Sequence, residues 1–399
     1  MRIVIFERVL SAFGGTERIL FELAPLLRGK GHEVHIIYLY ADRRKVSGKY
    51  SSDVSSILDH QGSVEEFPSS IYKSVVATIV SLPKMLKALV ALRPNLIICP
   101  RSNVYVYIVT RIYRVPFLLI VNDTPFYSNL NVSKYAHFYG GAYWSITKSL
   151  PGHMQFNEPR PHLPLKQRII AELIAIAKYL EARAAFVSIA PSRRVAWEAR
   201  SLWGINPIVI PWGVRPYRSE QAQVRQVKER LILTVNRLEI IKRVDLLIRA
   251  FAEVCRMLED VRLVIAGTGP EESSLRQLAK ALGVDGRTQF LGFVPEESLG
   301  DLILSCEVFA FPSWDSYGLS VLEALSSGKK CLVTIDAAMV EVARGDSNLF
   351  ISQSDPDSFA RGLLQALQAK TAPVSDRIAK LTVESHCSKL TKILEALRE

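Results

Sequence analysis

Two carboxylates and a glycine flank a change from turn to helix in the segment Pro312–Ala324. Asp315 and Glu323 are eight positions apart, and Gly318 stands between them where a helical pattern begins. Glycine lets a ligand approach the backbone closely, and a helix start offers free N–H groups and the positive end of a dipole. Carboxylates repel phosphate but bind hydroxyls, so the segment predicts a sugar-nucleotide site. Ordinary helix capping with a solvated Glu323 is the alternative interpretation.

Two cations follow a second apolar run. Arg237 and Lys242 lie in one predicted loop, directly after the run Leu231–Val235. At ~4 Å and an effective dielectric constant near 20, each cation–phosphate pair contributes on the order of 4 kcal/mol before desolvation. The pair would therefore stabilise a departing diphosphate, whereas the alternative is a basic, solvated loop.

Two glycine-containing turns are weaker signals. Gly14 and Gly15 precede a helical pattern and can present N–H groups to an anion, or they can simply form a tight turn. The spacing is not that of a dinucleotide-binding fingerprint. In the turn Ala266–Glu271, a proline at the helix start accounts for the sequence without any ligand, and we favour that interpretation.

Polar residues and an insertion follow the predicted strand Phe117–Val121. Asn122 and Asp123 come directly after it, and Asp123 suits hydrogen bonding to an acceptor hydroxyl or the capping of a turn. The insertion Pro125–Pro164 is rich in aromatic and basic residues, a composition typical of a membrane interface or a lipid-linked acceptor site. The histidines of this insertion lack metal-ligand spacing, and Asp355 is predicted to cap a helix.

These residues must be positioned by alternating strands and helices. Short β-branched runs alternate with amphipathic segments along the whole chain, which is typical of parallel sheets covered by helices. The pattern pauses near Pro211 and then restarts. We predict an α/β protein with two doubly wound, Rossmann-like domains that face a central cleft. The expected domains are residues 1–215, residues 216–380 and a last helix within 381–399 that packs back on the domain junction.

The composition of the chain indicates which binding partners and which cellular compartment to expect. Residues 1–220 contain 28 Lys and Arg against 15 Asp and Glu, a net charge of +13, and the remainder has a net charge of −2. A basic first half suggests an anionic partner such as a membrane surface, or else a generally basic exterior. Five scattered cysteines and no signal-peptide pattern indicate the cytoplasm. No apolar run reaches the ~20 residues needed to span a bilayer.

Together, the ordered motifs resemble family-four retaining glycosyltransferases of GT-B architecture. The resemblance covers the whole chain and rests on these pieces in order: Gly14-Gly15, Pro211-Trp212-Gly213-Val214, Arg237 with Lys242, Gly267-Thr268-Gly269-Pro270, Phe290-Leu291-Gly292-Phe293-Val294, and the segment Pro312–Gly328.

The resemblance implies a nucleotide-sugar donor held mainly by the second domain, with Arg237 and Lys242 on the leaving diphosphate. Glu323 would bind the ribose and Asp315 the sugar hydroxyls. The remaining donor-binding residues would be Gly14, Gly15, Val294, Ser316, Tyr317, Gly318 and Leu319. Asn122 and Asp123 would lie on the acceptor side.

The implied activity is that of a hexosyltransferase. It would form an α-linkage without a metal or other cofactor, on a lipid-linked or membrane-proximal glycan at the cytoplasmic face of the membrane. No nucleic-acid partner is expected. Two positions depart from the family pattern: Asp315 stands where Glu is usual, and Asn122 stands where His is frequent. A non-catalytic sugar-nucleotide or glycan-binding relative and a sugar-nucleotide epimerase therefore remain alternatives.

Overall fold

The computed structural model describes residues 1–10, 15–41, 83, 86–100, 104–122, 176–218, 229–313 and 317–396. These residues form two parallel sheets with helices between successive strands, as the alternating pattern predicts. The strands are β1 (Arg2–Leu10), β2 (Glu33–Ala41), β3 (Leu96–Cys99), β4 (Phe117–Ile120), β5 (Val187–Ala190), β6 (Ile208–Val209), β7 (Arg230–Val235), β8 (Val261–Ala266), β9 (Thr288–Gly292), β10 (Val308–Phe311), β11 (Lys330–Thr334) and β12 (Leu349–Ser352).

Helices connect most of these strands, and residues 86–92 and 176–184 are also helical. The labelled helices are α1 (Gly15–Gly29), α2 (Val104–Tyr113), α3 (Arg193–Trp203), α4 (Val244–Met257), α5 (Glu272–Ala281), α6 (Glu296–Ser305), α7 (Leu319–Ser326), α8 (Met339–Val342), α9 (Pro356–Gln368), α10 (Asp376–Ala379) and α11 (Val383–Ala396). Asp355 caps α9 as predicted, because its side chain accepts a hydrogen bond from the Ser358 N–H at 2.8 Å.

Each sheet has six strands, and its strand order reverses at one point. The first sheet has the order β2-β1-β3-β4-β5-β6, and the second has the order β12-β11-β10-β7-β8-β9. In the second sheet, the chain therefore moves from β7 to β8 and β9 on one side and returns to β10 on the other. In open parallel sheets, ligands bind at the carboxyl ends of the strands on either side of such a reversal. That rule directs attention to the loops after β7 and β10.

The chain divides into two compact units. Among the described residues, the first unit runs to Ile210 and takes in the chain again from His386, and the second runs from Pro211 to Ser385. Helix α11 therefore begins in the second unit and ends in the first. Each unit has its own core, since Phe117 and Val106 belong to one cluster and Phe251 and Phe359 to another.

Three features of the second unit were not among the sequence predictions. They are the edge strand β12, the helix α6 and the short helices α8 and α10. Strand β12 is only four residues long, its apolar run Leu349–Ile351 is short, and its Ile351 is 46 % exposed, as is typical of an edge strand. Helix α6 carries adjacent glutamates and a glycine that weaken its apolar periodicity.

All five cysteines are buried, and none of them forms a disulfide bond. Burial raises the pKa of Cys306 to about 12 and raises the pKa of Cys331 as well. Across the described segments, no helix is both long enough and apolar enough to cross a bilayer.

Candidate functional site

The loop after β7 carries both predicted cations. It leaves the sheet at Asn236, whose side-chain amide donates to Thr234 Oγ1 at 2.7 Å, and it closes in a 3₁₀ turn at Ile240–Lys242. The Lys242 N–H donates to the Glu239 carbonyl at 2.9 Å, which fixes that turn. The loop is therefore an ordered structure that holds Lys242 at a defined position.

A second loop supports the first by backbone contact. The Leu238 N–H donates to the Thr268 carbonyl at 2.9 Å. A Cβ atom on Gly267 would lie 1.7 Å from the Asn236 carbonyl oxygen, and one on Gly269 would lie 2.2 Å from the Leu238 carbonyl oxygen. Glycine is thus required at both positions for the two backbones to meet. Our interpretation of this turn as a simple helix start was incomplete, because its glycines support the cation loop.

The two cations have different surroundings. Arg237 is 60 % exposed, and its Nη1 lies 2.9 Å from Glu239 Oε1. Lys242 is only 7 % exposed, and its Nζ lies 6.0 Å from the centroid of the Phe311 ring. Solvent and salt screen an exposed charge more than a buried one. Lys242 therefore has the stronger electrostatic effect on a bound anion.

The glycine turn after β10 contacts the same ring. Gly318 has φ 76° and ψ 60°, a left-handed conformation that favours glycine. A Cβ atom at Gly318 would lie 3.1 Å from Phe311 Cε1. Phe311 thus lies against both Lys242 and Gly318, which are 76 positions apart along the chain. Phe311 is the last residue of β10 and so lies at the carboxyl edge of the sheet, although the sequence analysis did not identify it as a site residue.

Helix α7 begins directly after this turn. The first intrahelical hydrogen bonds run from the Val321 and Leu322 N–H groups to the Gly318 carbonyl, at 3.0 and 3.2 Å. The N–H groups of Leu319 and Ser320 precede these bonds and therefore have no helical acceptor. A helix start and a buried ammonium group that lie against the same ring are both groups that favour a bound anion such as phosphate.

Glu323 lies one turn into α7 and is 3 % exposed. This burial contradicts the alternative in which Glu323 is an ordinary solvated residue. A buried carboxylate is costly unless polar groups compensate for its lost hydration. Glu323 is thus a buried carboxylate one turn after the glycine turn, and its contact with a ribose remains a prediction.

Tyr317 has a different environment from the one predicted for a donor-binding side chain. Its hydroxyl donates to the Trp212 carbonyl at 2.7 Å, and the residue is 4 % exposed. Burial raises the pKa of this phenol, which keeps the hydroxyl protonated as a donor. The side chain of Tyr317 thus ties the glycine turn to the Trp212-Gly213 segment, and only its backbone remains available to a donor.

Val294 lies in the loop between β9 and α6. It is half-buried beside Phe293, which is 60 % exposed. The loop is joined to the glycine turn after β8, because the Gly267 N–H donates to the Gly292 carbonyl at 2.7 Å. Phe293 offers an exposed aromatic surface that the sequence analysis named only as part of a motif.

In the first unit, Asn122 follows β4 and is 9 % exposed. Its Nδ2 donates to the Pro100 carbonyl at 2.8 Å, which fixes the orientation of the amide. The Oδ1 atom has no hydrogen-bond partner within the described residues. An unpaired buried acceptor calls for a donor, and a sugar hydroxyl is a suitable one. Gly15 is the first residue of α1.

Four of the predicted site residues, Gly14, Asp123, Asp315 and Ser316, lie outside the described residues, as does the insertion Pro125–Pro164. Within the described ranges, no group of three or more His, Cys, Asp or Glu side chains is arranged to hold a metal ion.

Two doubly wound parallel units in series are the GT-B architecture. Comparison with known proteins gives the family. Residues 13–218 match the family described as Glycosyltransferase Family 4, and residues 218–380 match Glycosyl transferases group 1. The chain belongs to glycosyltransferase family 4.

Similar sequences cover only part of the chain. An uncharacterized glycosyltransferase of Methanocaldococcus jannaschii is 33 % identical over 144 residues, which is 36 % of this chain and 37 % of that protein. The GDP-mannose-dependent alpha-(1-6)-phosphatidylinositol dimannoside mannosyltransferase of Mycobacterium tuberculosis is 31 % identical over 169 residues, which is 40 % of this chain and 43 % of that protein. The chain thus matches less than half the length of these relatives.

Similar solved structures cover nearly the whole chain. Sucrose-phosphate synthase from Thermosynechococcus elongatus aligns with a TM-score of 0.74 at 16 % identity, over 100 % of this chain and 99 % of that one. HepE of Anabaena, in complex with UDP and glucose, aligns with a TM-score of 0.71 at 16 % identity, over 99 % of each chain. At such low identity, these likenesses establish the fold alone.

Proposed function

We propose that this protein is a retaining hexosyltransferase that uses a nucleotide-sugar donor and forms an α-linkage to a lipid-linked or membrane-proximal glycan. The proposal rests chiefly on the Phe311 ring at the strand-order reversal of the second sheet. That ring contacts both a buried lysine and the glycine at a helix start. The UDP complex of HepE and the GDP-mannose dependence of the mycobacterial relative support a nucleotide-sugar donor.

The site accounts for the chemistry of transfer. An acceptor oxygen forms a bond to the anomeric carbon, while the bond from that carbon to the diphosphate oxygen breaks and the departing diphosphate takes up the acceptor's proton. The diphosphate leaves with the electron pair, so negative charge grows where Lys242, Arg237 and the N-terminus of α7 lie. Preorganised cations and N–H groups stabilise that growing charge. Because these groups stabilise the negative charge on the diphosphate, we expect transfer without an added metal ion.

Donor binding and product analysis test this proposal together. Thermal unfolding with UDP-glucose, UDP-N-acetylglucosamine or GDP-mannose should show a raised midpoint for the true donor, because a ligand of the native state stabilises it by mass action. NMR analysis of the product should then show the α-configuration. If none of these donors shifts the midpoint and no nucleoside diphosphate is released, the transferase proposal is wrong.

Glu323 and Asp315 should bind different parts of the donor, the ribose and the transferred sugar. We expect Glu323→Gln to weaken the binding of bare UDP or GDP roughly tenfold to a hundredfold, since hydrogen bonds to a charged group contribute about 1.5–3 kcal/mol. Asp315→Ala should instead weaken only the intact nucleotide sugar. Calorimetric titration of both ligands checks this, with the exposed surface change Asp301→Asn as the control. Equal losses for both ligands in both variants would contradict the division.

Charge and exposed side chains of the first unit support membrane association. In the helical residues 176–184, Ile176, Tyr179 and Leu180 are 54 %, 41 % and 43 % exposed, and they share a face with Arg183. The end of α2 adds Ile112, which is 61 % exposed. Both helices pack on the same core cluster through Val106 and Ala182. Aromatic, aliphatic and basic side chains together suit an anionic bilayer surface.

Vesicle sedimentation tests the membrane proposal. We expect binding to vesicles with anionic lipid, weak binding to neutral vesicles, and loss of binding as salt shortens the Debye length below about 10 Å. Each basic residue near the surface contributes about 1 kcal/mol, so Arg111→Glu with Arg183→Glu should weaken binding at least tenfold. Arg256→Glu, an exposed change in the second unit, is the matched control. If the native chain stays in solution with anionic vesicles at low salt, the acceptor is instead a soluble molecule.

A further inference from the structure

Arg243, the residue after Lys242, has an unusual backbone conformation. Its φ of 47° and ψ of 39° lie in the left-handed region, and it occupies the N-cap position of α4. A side chain with a Cβ atom is disfavoured in this conformation, whereas glycine adopts it freely. Strained residues of this kind persist where surrounding contacts hold them, and they concentrate at functional sites.

The contacts that hold Arg243 come from the loop after β11. Its Nη2 donates to both carboxylate oxygens of Asp336, at 2.7 and 2.8 Å, and to Thr334 Oγ1 at 3.1 Å. Asp336 is 2 % exposed and Thr334 is fully buried. Buried, charge-assisted hydrogen bonds of this kind fix geometry strongly.

These contacts extend across three strands. Strand β10 lies between β7 and β11 in the sheet. Arg243 follows β7 and reaches Asp336 after β11, so its side chain spans the end of β10. Thr334 Oγ1 in turn lies 3.5 Å from the Pro312 carbonyl oxygen, directly after Phe311. The turn that carries Lys242 is therefore linked to the strand end that carries the aromatic ring beneath it.

We infer that Arg243 and Asp336 are positioning residues for Lys242. The Phe311 ring lies against the Lys242 ammonium group, and the Arg243–Asp336 ion pair anchors the next residue of the chain. The Arg243 N–H also donates to the Ile240 carbonyl at 3.0 Å, which closes the same 3₁₀ turn. A displacement of about 1 Å in a catalytic group can lower a rate a hundredfold, so the anchor governs turnover. This inference rests on the proposed role of Lys242 at the diphosphate.

A double-mutant cycle separates positioning from simple support of the fold. The variant Arg243→Gly/Asp336→Asn relieves the backbone strain and leaves no uncompensated buried charge, so we expect it to fold. Its kcat should fall at least tenfold. In a Lys242→Ala background, the same double change should have no further effect on kcat, because the residue that it positions is absent. A purely structural role would give the same loss in both backgrounds.

A matched pair at the other end of the same sheet is the control. Arg230 and Glu307 form a two-bond ion pair at 2.9 and 3.1 Å, at the start of β7 and just before β10. Arg230→Gln/Glu307→Gln should lower the thermal midpoint without lowering kcat. Arg243→Lys keeps the charge but loses the planar guanidinium group, so its kcat should lie between that of the wild type and that of the double variant. If the double variant does not fold, Arg243→Lys takes its place in the cycle.

The outcomes distinguish this inference from the proposed function. Equal losses of kcat in the native and Lys242→Ala backgrounds would overturn the positioning role, as would unchanged turnover in the folded double variant. Wild-type turnover in Lys242→Ala would instead overturn the assigned role of Lys242. If no donor supports transfer, the same cycle is measured with UDP and GDP binding by calorimetry. Non-additive losses of affinity would then support positioning, and additive ones would refute it.

Discussion

Replacing Lys242 with alanine should lower turnover by about 10²–10³, the effect of removing one preorganised charge partner from a transition state. The expectation follows from the burial of the ammonium group, which is 7 % exposed and lies against Phe311. In that environment, its attraction for the diphosphate is only weakly screened by water. Steady-state measurement of kcat at saturating donor checks this.

Two further variants serve as comparisons for the kcat of Lys242→Ala. Arg237→Ala should have a smaller effect, because Arg237 is 60 % exposed and already paired with Glu239. Lys280→Ala removes an exposed lysine of the same unit and should leave turnover unchanged. If a correctly folded Lys242→Ala protein turned over like the wild type, this lysine would have no part in the chemistry.

Gly269→Ala should destabilise the protein by about 3 kcal/mol or more, because overpacking against backbone cannot be relieved by side-chain rotation. The added Cβ atom would lie 2.2 Å from the Leu238 carbonyl oxygen and 2.5 Å from its carbon. The cation loop must move to accept it, so affinity for UDP or GDP should fall as well. Denaturant unfolding gives the free energy, with the slope of the transition as a check on two-state behaviour.

Gly286→Ala provides the matched control for this change. No atom lies within 4 Å of a Cβ built at Gly286, and its backbone has no positive φ. The substitution should therefore leave the free energy of unfolding within about 0.5 kcal/mol of the native value. Equal stabilities for the two variants would mean that the loops after β7 and β8 do not depend on this close approach.

The fold was predictable because its signals are local. Buried parallel strands require continuous apolar runs, and β4 and β7 agree within one residue with the runs Phe117–Val121 and Leu231–Val235. The edge strand β12 was not predicted because its apolar run of three residues is too short to indicate a strand by itself. The position of the two cations after the end of a strand was also predictable from the sequence, since the loops after parallel strands lie at the same edge of the sheet.

The details of the site were not predictable from local signals. The burial of Lys242 depends on a ring from a strand about 70 positions away, and the glycines of the turn after β8 are explained only by the backbone of another loop. The family resemblance implied that Tyr317 binds the donor, yet its hydroxyl donates to the Trp212 carbonyl. Each of these features depends on packing between residues that are far apart in the chain, and such packing cannot be read from a single sequence.

The buried thiols make it possible to follow local opening of each unit separately. Alkylation requires an accessible thiolate, so a cysteine that is buried, and whose pKa burial raises, reacts only when its surroundings transiently unfold. Cys99 lies at the end of β3 in the first unit, whereas Cys306 and Cys331 lie in the second. The labelling rate at each position, followed by mass spectrometry, therefore gives an opening free energy for that unit. A donor that protects only the second-unit cysteines would locate its binding energy there without any engineered probe.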